Sequence, residues 1–239
     1  MRLALVFTIF YCLIGQNTAA QTLALTTEDY DPFDIVDAKK GTFSGLATDK
    51  VLELMRRSGE KYTVAAYPWA RSFQMARNDA DTCVFSTTRT PERETMFKWI
   101  GPIAKMNLAI FALANDKRHP KTLESLRPYV LGSYRNDAVG EFFALHGFKT
   151  DLANRDDDNP KKLMYGRFDY WATEELHGKA ILTKQGLSEK IVPLFRYKQD
   201  NLYLACNIGL SQSRKDRFDK ILKKMEQDGT FAAIEKKYK

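Results

Sequence analysis

The chain has 239 residues and a formal net charge of +7, with 44% hydrophobic and 28% charged residues. That is enough apolar content for one large domain or two small lobes with real cores. The basic residues are scattered, no nucleic-acid motif accompanies them, and three histidines (His119, His146, His177) stand without paired ligand spacing. Nucleic acid, a metal and other cofactors are therefore not expected, and each histidine reads as a surface or loop residue.

Residues 1–20 have the organisation of a signal peptide. Arg2 precedes an apolar run over residues 3–15, and Thr18 and Ala20 suit the −3 and −1 positions of a cleavage site before Gln21. The run is short for a membrane span, which needs roughly 20 residues. Cys12 follows bulky Phe10 and Tyr11, against a lipid anchor. The expected product is soluble and periplasmic. It keeps two cysteines, Cys83 and Cys206, both in apolar strand-like runs. Export permits a bridge between them, and two buried free thiols fit the pattern as well.

After the leader, TLALTT reads as a strand and DYDPF as a turn. GTFSGLATDKVLELMRRSG runs from a loop into a helix ended by Gly59. YTVAAY is a second strand, and PWARSFQMARND opens a helix at Pro68. TCVFS is a third strand, and TPERETMF reads as a helix capped by Thr90. This alternation predicts a parallel α/β unit. KWIGPI closes that unit, and NLAIFALAN is an apolar strand leading to a second one. There YVLGSY, the turn RNDA, a helix start at NP and the strand FDYWAT repeat the rhythm. KIVPLFRYKQDNLYLACNIGLS reads as a further pair of strands, and the last stretch is helical, with Phe218, Ile221, Leu222 and Met225 on a packing face. The chain is thus expected to cross between two α/β lobes twice: residues 21–106 and 207–239 form one, residues 107–206 the other.

A cleft between such lobes is where small ligands bind, at the carboxyl ends of the strands. Several residues fall at those ends. In FSTTRTPER, Ser86 and Thr88 supply hydroxyls next to a helix N-terminus, and Arg93 can fork onto a carboxylate. Capping by Ser86 and a surface pairing of Arg93 with Glu92 or Glu94 is the plainer alternative. Tyr30, Phe33 and Trp69 sit at the same edge, where aromatic faces can flank a ligand. In the second unit, Arg135, Asn136 and Asp137 precede a helix, and Glu174 ends the FDYWATEE strand, placed to accept from an ammonium.

Four segments carry a family resemblance. FSTTRTPERETMFKWIGPI, YPWARSF, GRFDYWATEE and MEQDGTFAAIEKKY resemble the corresponding segments of periplasmic amino-acid-binding proteins of ABC transporters, the lysine/arginine/ornithine- and histidine-binding kind. The similarity runs from about Thr22 to Tyr238. It implies the α/β, type II periplasmic-binding-protein (Venus-flytrap) fold with a two-strand hinge, monomeric, closing on a small polar, amino-acid-like solute. It implies further that Ser86, Thr88 and Arg93 hold a carboxylate, with Tyr30 or Phe33 and Trp69 beside the side chain, and that an ABC permease or a membrane sensor is the partner. The sequence departs from the pattern in having Glu174 where the family has Asp, and RNDA for a small G-T-T turn. A dehydratase of the cyclohexadienyl type, with Glu174 as general acid, and a stand-alone sensory module are the alternatives on the same scaffold.

Overall fold

The computed structural model describes residues 22–238, so the signal-peptide reading and its cleavage point lie outside the described residues. The first half of the molecule is built on β1 (Leu23–Thr27), flanked in parallel by β4 (Tyr62–Ala66) and β5 (Thr82–Thr88). Between β1 and β4 the chain makes a small hairpin, β2 (Ile35–Asp37) and β3 (Thr42–Ser44), and helix α1 (Leu46–Ser58). Helix α2 (Trp69–Asn78) joins β4 to β5. Helix α1 turns Ala47, Val51, Leu54 and Met55 to the core and ends on Gly59, whose φ of 71° is the left-handed conformation a helix stop requires.

Two long antiparallel strands then connect the halves. β6 (Phe97–Leu113) and β10 (Ile191–Asn207), each of 17 residues, pair from Phe97↔Asn207 to Leu113↔Ile191 with three register shifts. The second half adds β7 (Val130–Tyr134), β8 (Lys149–Ala153) and β9 (Tyr170–Glu174), with α3 (Ala138–Leu145), α4 (Asn159–Met164) and α5 (Glu175–Gln185). The sheet runs β4-β1-β5-β10-β6-β9-β7-β8. Helices α6 (Gln212–Gln227) and α7 (Thr230–Lys236) return to the first half, where Phe218, Leu222 and Met225 are buried.

Several local expectations are corrected. TPERETMF forms only a 3-10 turn over Pro91–Met96 before β6 begins, because PERETM has no apolar stripe to bury along a longer helix. KIVPLFRYKQDNLYLAC is one strand, not two. Its start lies on an outer edge, paired with β6 alone, where the missing N–H of Pro193 costs little. Residues 202–206 of β10 pair with β5. Of the two readings open for Cys83 and Cys206, the fold takes the bridge: opposite each other on β5 and β10, they form a disulfide. His177 is no surface residue; it is only 4% exposed.

Candidate functional site in the cleft between the lobes

The carboxyl ends of β1, β4 and β5 face the N-termini of α3 and α5 across a cleft. Ser86 stands there with φ 59°, a strained backbone for a residue with a Cβ, and its Oγ is buried without a partner. Thr88 ends β5, with Met106 Sδ at 4.0 Å from its hydroxyl. Arg93, 2% exposed, is the buried cation of the site. Its Nε and Nη2 donate to Glu141 Oε2 at 3.1 and 2.7 Å, and Nη2 also donates to the Asn136 carbonyl at 2.8 Å. Nη1 has no partner. Pairing of Arg93 with Glu92 or Glu94 is therefore not what the fold does.

Asn136 is the latch point. Its φ of 59° turns the carbonyl toward the first lobe, where Trp69 Nε1 donates to it at 2.6 Å alongside Arg93. Two further bonds cross the cleft: Tyr134 Oη donates to Glu28 Oε1 at 3.0 Å, and His177 Nδ1 lies 3.0 Å from the Asp31 carbonyl. The His177 ring also packs on Tyr30, with centroids 3.9 Å apart. Burial lowers the His177 pKa to about 4, so the ring is neutral and its Nδ1–H is the donor.

The space enclosed has two chambers that share Glu28 and Trp69. The outer one, of about 240 Å³, lies between Tyr67 and Pro68 on one side and Asp156 and His177 on the other, with Asp29, Arg155 and Asp157 at its lining. The inner one is only about 10 Å³ and reaches Tyr30, Ser86, Thr88, Arg93, Tyr134 and Asp137. Asp156, 5% exposed, anchors the outer wall by accepting from Asn159 Nδ2 at 2.7 Å, Trp171 Nε1 at 2.8 Å and Thr173 Oγ1 at 2.5 Å.

The expected site residues thus divide. Tyr30, Trp69, Ser86, Thr88, Arg93 and Asp137 come together at the cavity. Asn136 contributes its main chain, and Arg135 is exposed outside the lining. Phe33 is fully buried behind Tyr30, their rings 5.6 Å apart, so it supports the wall without facing the cavity. Glu174 is also displaced from its expected place. It is fully buried, with Oε2 on the His177 N–H at 2.8 Å and Oε1 on the Asn107 N–H at 3.1 Å, capping α5 and not lining the cavity. Sequence reasoning missed Glu28, Tyr134, Glu141, Asp156 and His177. Glu28 could have been found by the strand-end rule that found Tyr30, and Asp156 lay in a DDDN run read only as a helix start.

Burial leaves several carboxyls protonated near neutrality. It pushes Asp34, held by Thr27 and Thr48, up to about 7, Asp137 and Glu174 to about 7, and Asp156 to about 6. The folded state then holds protons that the unfolded chain has released above pH ~4. Their contribution is complete at low pH and is lost as pH rises through 6–7. His177 acts in the opposite sense between pH 6.5 and 4, one imidazole against four carboxyls. The melting temperature of the ligand-free protein is expected to fall by several degrees from pH 5.5 to pH 8. One pKa unit on one group is worth about 1.4 kcal/mol, or roughly 3–6 °C in a protein of this size. A melting temperature that is flat or rises over this range would contradict the protonated cleft.

This is the architecture of a two-lobed protein that closes on a small molecule. The chain belongs to the bacterial extracellular solute-binding proteins, family 3, which it matches over residues 23–239. No curated protein matches its sequence. Among solved structures it is similar to a histidine kinase sensor domain with similarity to periplasmic binding proteins (TM-score 0.83, 20% identity, 91% of this chain and 96% of that one). It is also similar to the P235GK mutant of ArgBP from T. maritima (TM-score 0.78, 17% identity, 91% and 94%). A third is the arginine-, lysine-, histidine-binding protein ArtJ of Geobacillus stearothermophilus (TM-score 0.78, 17% identity, 91% and 95%). These likenesses establish the type II periplasmic-binding-protein fold. Among the described residues no helix is long and apolar enough to cross a membrane.

Proposed function

We propose that the chain is an exported, periplasmic solute-binding protein that captures a small polar, amino-acid-like solute bearing an amine. The solute is held between one lobe of residues 21 to about 106 plus the C-terminal helices, and a second lobe inserted between β6 and β10. An ABC permease or a membrane sensor receives the closed form. One observation carries the reading: hydrogen bonds from Arg93, Trp69, Tyr134 and His177 all cross the cleft around the two adjoining chambers. Closure of two lobes over a ligand, excluding water, is what such a geometry does. ArgBP and ArtJ, named for arginine, lysine and histidine, bind solutes of this size class.

The dehydratase alternative would run through Glu174, whose oxygens are both taken by backbone donors away from the cavity. The test of the solute-binding reading is a thermal-shift panel of amino acids, amines and small dicarboxylates on ligand-stripped protein, with X-ray scattering on each responder. A ligand at ~100-fold over its dissociation constant should stabilise by roughly 2.7 kcal/mol and shift the lobes' relative position. Silence across the panel removes the reading.

A further inference from the structure

The guanidinium that would hold a ligand's carboxylate already holds one. Arg93, on the first lobe, has two of its three nitrogens on Glu141 and the Asn136 carbonyl of the second. The remaining nitrogen, Nη1, is buried without a partner. Arg93 and Ser86 both line the inner chamber, and that chamber has about 10 Å³, room for about one water and none for a carboxylate.

The rest of the lining is rich in carboxyls. Glu28 is common to both chambers, Asp137 faces the inner one and Asp156 the outer, with Asp29 and Asp157 toward the mouth. Arg155, the other cation on the lining, is 65% exposed and paired with Asp157. Burial holds Glu28, Asp137 and Asp156 toward their protonated forms, and a bound cation is what lets such carboxyls ionise. Trp69 and Tyr67 also line the outer chamber, the Tyr67 ring with the Arg71 guanidinium 4.1 Å from its centroid, and aromatic rings suit a cation.

We propose that Glu141 stands in for a ligand's carboxylate on Arg93, so that the cleft selects small organic cations, amines or guanidiniums, that carry no carboxylate. The inference rests on the solute-binding reading and narrows its ligand class. Glu141 is a specificity-determining residue, since it acts through Arg93 and touches no ligand itself. Cations with an α-carboxylate compete with Glu141 for Arg93 as the lobes close, while cations without one let the cross-lobe pair form over them.

Matched pairs test this: agmatine against arginine, and cadaverine against lysine, by calorimetric titration of the intact, ligand-stripped protein. Within a pair the cation is the same and the carboxylate differs. The decarboxylated member is expected to bind at least tenfold more tightly. Glu141→Gln, at a side chain 42% exposed, frees Arg93 and is expected to narrow or reverse that ratio while the protein stays folded. Arginine or lysine binding as well as its partner, or an unchanged ratio in E141Q, overturns the proposal. Binding of neutral or acidic amino acids alone also overturns it but leaves the solute-binding function intact. If no polar solute binds at all, the function reading fails first, and the inference fails with it.

Discussion

Replacing Cys83 and Cys206 together by alanine is expected to destabilise the ligand-free protein by about 3–5 kcal/mol. The bridge spans a sequence separation of 123 residues, and cross-linking so long a loop removes much of the unfolded chain's freedom. The chain-entropy relation gives ~5 kcal/mol for it, and typical measured values are about 2–4. Both cysteines are fully buried and face each other in the β5–β10 register, so the bridge fixes the strand that returns from the second lobe against the strand that carries Ser86 and Thr88. Urea unfolding of the oxidised protein and of the double variant measures the difference. A loss under about 1 kcal/mol would mean that the unfolded chain is not loosened by removing the bridge. A disulfide also suits an oxidising compartment, in keeping with export.

The second large effect is expected at Asp156. Asp156→Ala should cost about 3–5 kcal/mol, in the range for breaking a buried hydrogen-bond network. It strands three donors at once: the Asn159 amide, the Trp171 indole and the Thr173 hydroxyl. A buried donor left without an acceptor costs about 1–3 kcal/mol by itself. Asp156→Asn separates the parts of this effect. It keeps an oxygen for Asn159 and Trp171 and turns an amide toward Thr173, so its cost should stay near 1 kcal/mol. It should also flatten the decline of stability with pH, since Asp156 is one of the carboxyls that burial holds protonated. Equal losses in the two variants would show that shape, not hydrogen bonding, is what Asp156 contributes.

The alternation of strands and helices was legible because it is written in neighbouring residues. So was the clustering of Tyr30, Trp69, Ser86 and Thr88, because all four lie at strand ends on one edge of a parallel unit. What stayed hidden was set by residues far apart. Glu141 lies 48 positions from Arg93 on a partly exposed helix face, where an acid ordinarily means solvation. His177 lies 146 positions from Asp31, and its neutral, stacked state depends on the lobes having met. Glu174 was placed at the right strand end, yet the N-terminus of α5 and the Asn107 N–H claimed its oxygens. β10 misled for a different reason: its outer half alternates weakly and contains Pro193, so one strand reads as two.

The sheet order has a consequence for how the molecule is made. β5 lacks its neighbour on one side until residues 202–206 of β10 arrive, and the face covered by Phe218, Leu222 and Met225 stays bare until later still. β7, β8 and β9, with the stretches of β6 and β10 that flank them, lie wholly between those points. Where domains fold as a chain emerges, N-terminus first, the half begun second can be complete while the half begun first still shows an open strand edge. Such an edge invites pairing with other chains. The half of the protein that is begun first is therefore the last to be finished.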